Sequence, residues 1–349
     1  MAVSAYKTYS AGEILTAADL NASFNQLHNN GTDVAFPLTK NGAAGGFILT
    51  GLGAGTAAGH SVRYEQIGIS ASVCEFRLTL TTAVPVTTAD VTGATTIYCS
   101  PYKGNRIALY DGTTWNVRTS AEFSLALGTL TSGKPYDVFC YDNAGTPTLE
   151  FLVWTDDTTR ATALVLQDGI YSKTGALTRR YLGTFYTTAA TTTEDSFAKR
   201  FLWNYYNRVL RPMRVLEATN SWNYTTATIR QANGAAGNQL DLVMGVSEDV
   251  VSAEVLAFAT NASSGVAVAV GIGVDSTTAF TSGFLSPSMA VGATGASYGA
   301  VASIKTHINA GRHYLAWLEY SVASGTTTWY GDNNTPLIQQ SGIHGELLG

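Results

Sequence analysis

The chain has 349 residues, 45% of them hydrophobic and only 13% charged, about half the usual charged share of roughly 25%. That length and apolar content suffice for two packed domains, while a net charge of −5 gives no global electrostatic reason to bind nucleic acid. The opening "MAVSAYKTYS" lacks the apolar core of a secretion signal. The best apolar run, "VAVAVGIGV", stops at Asp275 and is too short to span a bilayer, so no membrane insertion is expected.

In chain order, "YSAGEILTAADLNASFNQLHNNG" predicts a helix of about three turns. Thr16 serves as N-cap, with Asp19 three residues on and Leu15 and Leu20 placed as a hydrophobic staple. Leu20, Phe24 and Leu27 mark one face, and Gly31 supplies the stop. So short a helix is marginal in water, so it is expected to pack on other copies or on a larger assembly. These three residues are the candidates for oligomerisation and attachment. The Gly-rich "FPLTKNGAAGGFILTGLGAGTAAGHSVRYEQI" reads as an extended segment, followed by a short helix at residues 61–66.

From Glu75 the period changes to that of strands. Phe76, Leu78 and Leu80 alternate with Arg77, Thr79 and Thr81, the pattern of a half-buried strand. Asp111-Gly112 between two strand-like runs predicts a hairpin, as does the longer turn "DNAGTP", and "QDG" and "KTG" predict two further turns. "TTAATTTEDSFAKRF" reads as a polar loop, and Pro212 confines the next strand to an edge or a junction. A second strand series begins at Glu217. The expected fold is therefore mainly β: an N-terminal helix and extended segment over residues 1–74, then two antiparallel β-sandwich-like domains over 75–216 and 217–349.

Little in the chain carries chemistry. Cys74, Cys99 and Cys140 are odd in number without CxxC spacing, so free, partly buried thiols are expected and no zinc site. His28, His60, His307, His313 and His344 lack metal-ligand spacing and read as surface or interface residues. Hydrolysis of a glycan needs two carboxylates facing each other across a cleft. The adjacent acids Asp156-Asp157, Glu194-Asp195 and Glu248-Asp249 make poor dyads, because neighbours on a strand point to opposite faces. No enzyme activity, metal or cofactor is expected. Lys173, Arg179, Arg180, Lys199, Arg200, Arg208, Arg211 and Arg214 form a basic cluster, read as ion pairs with carboxylates such as Glu194 and Glu217. Tyr298, Tyr330, Asp332 and Asn333 combine aromatic and polar groups in turn-rich segments and are the candidates for glycan contact.

The motif "TYSAGEILTAADLNASFNQL" resembles the N-terminal element of bacteriophage tail-fibre and other virion appendage proteins. "GGFILTGLGAGTAAGHSVRYEQI" is similar to a glycine-rich step of phage fibres, without its proline and most of its acids. "LYDGTTW", "RRYLGT" and "TTTEDSF…KRFLWNYYNRV" look like a module of phage structural proteins. The resemblance implies a homotrimeric tail or head fibre, made in the host cytoplasm and resident in the virion. It implies that the N-terminal segment meets other virion proteins while the distal β domain contacts a host-surface glycan. Capsid decoration is the alternative, and a glycan-degrading fibre the more distant one.

Overall fold

The computed structural model describes residues 71–282, 288–291 and 293–349, all within one compact unit, Gly68–Gly349. The expected helix with Leu20, Phe24 and Leu27, the Gly-rich segment and the short helix at 61–66 lie outside the described residues. Among those described, the chain is mainly β, with twenty-five strands, one 3-10 turn and no α-helix.

The strands enclose two hydrophobic cores. In the first, the three-stranded sheet Phe76–Thr79, Thr96–Pro101 and Phe123–Ala126 contributes Phe76, Leu78, Ile97 and Cys99. These pack with Val138, Cys140, Leu182 and Phe185 of the strands Pro135–Asn143 and Ala176–Ala189. In the second, a six-stranded sheet is centred on Val250–Asn261, whose burial alternates strictly along its length. Its inward Val251, Ala253, Val255 and Ala257 join Leu240, Leu242, Val268, Val270, Leu315 and Trp317. Each fully buried large aliphatic or aromatic side chain stabilises by roughly 1.5–3 kcal/mol, so the two clusters supply most of the driving force.

Strand Ala176–Ala189 serves both cores, with Leu182 and Phe185 in the first and Tyr181 in the second. Alternation sends Tyr181 and Leu182 to opposite faces, and a register shift between Tyr181 and Gly183, where the strand pairs with Pro135–Asn143, lets Leu182 and Phe185, three residues apart, share the first core. Strand pairing also crosses position 216, because Lys199–Arg200 pairs with Gln239–Met244. That contact is parallel, an exception to the antiparallel pairing expected.

The Asp111-Gly112 hairpin forms between Arg106–Tyr110 and Trp115–Thr119. Asp111 Oδ1 accepts from the backbone N–H groups of Thr113 and Thr114, each at 2.8 Å, and those bonds hold its carboxyl down at about 2. "DNAGTP" is tighter than expected, since Asn143 pairs directly with Thr146. Only Ala144 and Gly145 make the turn, both at positive φ. Pro212 lies in the strand Leu210–Leu216, which is an edge among the described residues, pairing there only with Gly342–Leu348.

Two expectations require correction. The strand at Phe76–Thr79 is buried on both faces, Arg77 and Thr79 included. Arg77 avoids an unpaired interior charge by donating to the carbonyl oxygens of Pro85, Asn207 and Gly349. The expected loop "TTAATTTEDSFAKRF" forms two successive hairpins, with Thr187 opposite Thr193 in the first and Asp195 opposite Arg200 in the second. Those of its polar residues that are buried find partners: Thr193 Oγ1 donates to Tyr186 O at 2.7 Å, and Asp195 accepts from Arg200 and Arg211 at 3.1 and 2.7 Å.

Where the chain enters this body, Arg180 acts as a clasp. Its buried guanidinium donates to the carbonyl oxygens of Ala71, Val73 and Ala108 at 2.7–3.0 Å and stacks on the Tyr206 ring at 4.5 Å.

Candidate functional site on the outer sheet face

The alternation that buries one side of Val250–Asn261 turns its other side outward. Pairing with Tyr298–His307, Gly342–Leu348 and Leu210–Leu216 extends that outer face into rows. One row is Lys305, Ser252, Glu346 and Pro212. The next is Ser303, Glu254, His344 and Arg214, and a third is Val301, Leu256, Gly342 and Leu216. Beyond it lie Gly299, Phe258, Tyr330 and Ser221.

Charge and apolar surface are segregated on this face. Ser252, Lys305 and Glu346 of the first row and Glu254, Ser303 and His344 of the second line an open depression of about 400 Å³, in which His344 Nε2 lies 3.5 Å from Glu254 Oε1. Around it stand Leu210, Leu216, Val301 and Leu348, between 38% and 57% exposed. Scattered apolar surface residues are ordinary, whereas a group on one face marks a contact surface.

The structure separates the four residues selected for glycan contact. Tyr298 pairs with the inward Ala259, whereas Tyr330 pairs with the outward Phe258, so the two tyrosines occupy opposite faces of the sheet. Tyr330 Oη lies 3.4 Å from Thr260 Oγ1. Asp332 and Asn333 belong to the following turn. Asp332 O accepts from Thr335 N at 2.8 Å, its Oδ1 accepts from Asn334 N at 3.1 Å, and Asn333 is held at a φ of 46°. Leu20, Phe24 and Leu27 lie outside the described residues.

The adjacent acids each engage cations or turn amides. Asp156 caps its own turn through Thr158 N and Thr159 N, and Asp157 faces Arg312 at 3.8 Å. Glu194 pairs with Lys199. Glu248 and Asp249 both receive Arg208. The basic cluster resolves largely into these pairs, together with Lys173 and Arg179 on Glu150. Glu217 takes no cation among the described residues; Asn238 Nδ2 donates to it at 2.7 Å and Thr219 N at 2.8 Å.

His313 is buried, a correction to its reading as a surface residue. Its Nδ1 lies 2.7 Å from Asp275 Oδ2 and its Nε2 2.9 Å from Asn309 O, so both nitrogens are committed and neither faces a reactant. Burial works to raise the Asp275 carboxyl, but the bonds from His313 and Tyr314 N outweigh it and hold it below its usual range. Among the described residues no group of three or more His, Cys, Asp or Glu is placed to hold a metal ion.

Another acid is buried without an adjacent one in sequence. Glu319, on the strand Gly311–Tyr320, receives Trp222 Nε1 from the six-stranded sheet at 2.8 Å and Arg230 Nε from its own neighbouring strand, Ile229–Gln231, at 2.7 Å. Burial nevertheless pushes its carboxyl up to about 7. A lone Glu in "HYLAWLEY" gave no sign of this; the flanking apolar alternation was the available signal.

No protein-family model matches the chain, and no curated protein does either. Among solved structures, a chain of infectious bursal disease virus Gx strain aligns at 9% identity over 76% of this chain and 72% of that one, with a TM-score of 0.24. A chain of the Gt strain aligns at 9% identity over 78% and 75%, with a TM-score of 0.21. At those scores neither likeness carries an argument about function.

Proposed function

We propose that this chain is a phage virion structural protein, a homotrimeric tail or head fibre that joins other virion proteins through its N-terminal segment and meets the host surface through its distal β region. The observation that supports this most directly is the outer face. Four of the nine exposed large hydrophobic side chains among the described residues lie on it, beside charges of both signs at Glu254, Glu346, Lys305 and Arg214. A neighbouring copy suits such a face. It covers the leucines, and its own acids and bases can meet those of the first copy without leaving a single-sign field.

Immunogold electron microscopy of intact virions, with an antibody against residues 217–349, tests the reading. Gold at the tail end or on projecting fibres agrees with it. Gold spread evenly over the shell makes the protein a capsid decoration, and virions without gold refute both. Self-contact is tested separately by mass in solution. Replacing Leu216 and Val301 with Asp should reduce a trimer to smaller species, and an unchanged mass would remove the outer face from the interface.

A further inference from the structure

A second depression, of about 410 Å³, is lined by Thr158, Thr159, Arg160, Leu164, Tyr171 and Ser247, with small apolar residues between them. Four separate segments converge on it. They are the loop after Thr146–Val153, the strand Ile170–Lys173, the turn after Gln239–Met244 and the turn before Gly311–Tyr320.

The segments are tied to one another, so the depression is preformed. Arg160 Nε donates to Asp137 Oδ2 at 2.8 Å, and its Nη2 reaches the carbonyl oxygen of Gly245. Arg312 N donates to Asp157 O at 2.8 Å, and Ala310 N donates to Ser247 Oγ at 2.8 Å. Gly311, at a φ of 144°, lets the loops close: a Cβ there would sit 2.6 Å from Asp157 O and 3.1 Å from Thr158 Cα. A site held this way does not have to be ordered when a ligand arrives.

The lining specifies a chemical class. Tyr171 is fixed edge-on against Tyr205, with ring centroids 5.3 Å apart, and Leu164 adds apolar wall. Three hydroxyl groups stand around this surface, on Thr158, Thr159 and Ser247; that of Thr158 donates to Asp156 Oδ1 at 3.1 Å and keeps only its acceptor capacity. Because Ser247 Oγ already accepts from Ala310 N, its hydrogen is left to donate. The charged side chain in the lining, Arg160, is neutralised by Asp137 at 2.8 Å. The outer-face depression, by contrast, carries Glu254, Glu346, Lys305 and His344.

From this geometry we infer that the depression beside Tyr171 is a binding site for a neutral sugar ring, which offers an apolar face to the tyrosine and hydroxyls to the polar rim. The inference deepens the host-contact part of the proposed function and rests on it, while immunogold location and solution mass do not depend on any sugar.

Saturation-transfer NMR on the full chain, with glucose, galactose, mannose and N-acetylneuraminic acid as probes, tests the site. Transfer to at least one neutral hexose is expected, with affinity falling roughly tenfold or more in Tyr171→Ala and unchanged in Tyr330→Ala. Since Tyr171 also packs on Tyr205, Thr159→Lys provides a second test: Thr159 is exposed, and a lysine there blocks the depression without entering the core. No transfer to any neutral hexose, transfer to the anionic sugar alone, or transfer that survives Thr159→Lys would each overturn the assignment.

Discussion

At the scale of single residues, the chain's economy in charge makes each buried ionisable group consequential. Glu319 is fully buried, and its folded carboxyl titrates at about 7 against an ordinary 4.5. An acid raised on folding binds its proton more tightly in the native state, so its stabilising share is complete below 4.5 and lost as pH rises through about 7. The share is at most roughly 3 kcal/mol. Denaturant melts of the wild type and Glu319→Gln across that window should show their stability difference shifting against the wild type by up to this amount. A constant difference would mean that Glu319 does not titrate there. Arg180 is the opposite case, a cation satisfied by carbonyl oxygens. Arg180→Met strips hydrogen bonds from buried acceptors, and a loss of at least roughly 3 kcal/mol is expected in the same melts.

At the scale of elements, hairpins were the most legible part of the sequence, because turn chemistry is local. Asp111-Gly112 and the "QDG" turn, whose Asp168 and Gly169 both take positive φ, needed no tertiary information. The polar strand Thr192–Asp195 was not legible, since what makes it a strand is a set of partners from other parts of the chain. The outer face was hidden for a related reason. Along Leu210–Leu216 the leucines at each end face solvent while Arg211 and Met213 are buried, so hydrophobic alternation points the wrong way. The depression beside Tyr171 draws on four distant segments and has no signature in any one of them. Close approach between elements gives its own prediction. A Cβ on Gly183 would meet the Trp203 carbonyl and Leu78, so Gly183→Ala should destabilise by roughly 1–3 kcal/mol, read as an earlier denaturation midpoint. A midpoint unchanged from wild type would show that the Ala176–Ala189 strand can shift away from Trp203.

At the scale of the whole molecule, the three thiols report on integrity. Cys74, Cys99 and Cys140 are free and buried in the first core, and burial pushes all three above the usual thiol range. Native protein should therefore react negligibly with a disulfide reagent, while denatured protein should titrate three thiols per chain. Fast reaction of even one in native buffer would mean that the first core opens independently of the second. The clasp at Arg180 bears on how the molecule would respond to a mechanical load. A pull on the chain from the N-terminal side of Ala71 meets, among the described residues, bonds tying Ala71 and Val73 to a side chain on the Ala176–Ala189 strand. That strand lies between the two cores and hydrogen-bonds to neighbours on both sides. Tension would thus be resisted by shear of a strand shared between both cores, and the entry segment could not be peeled away one residue at a time.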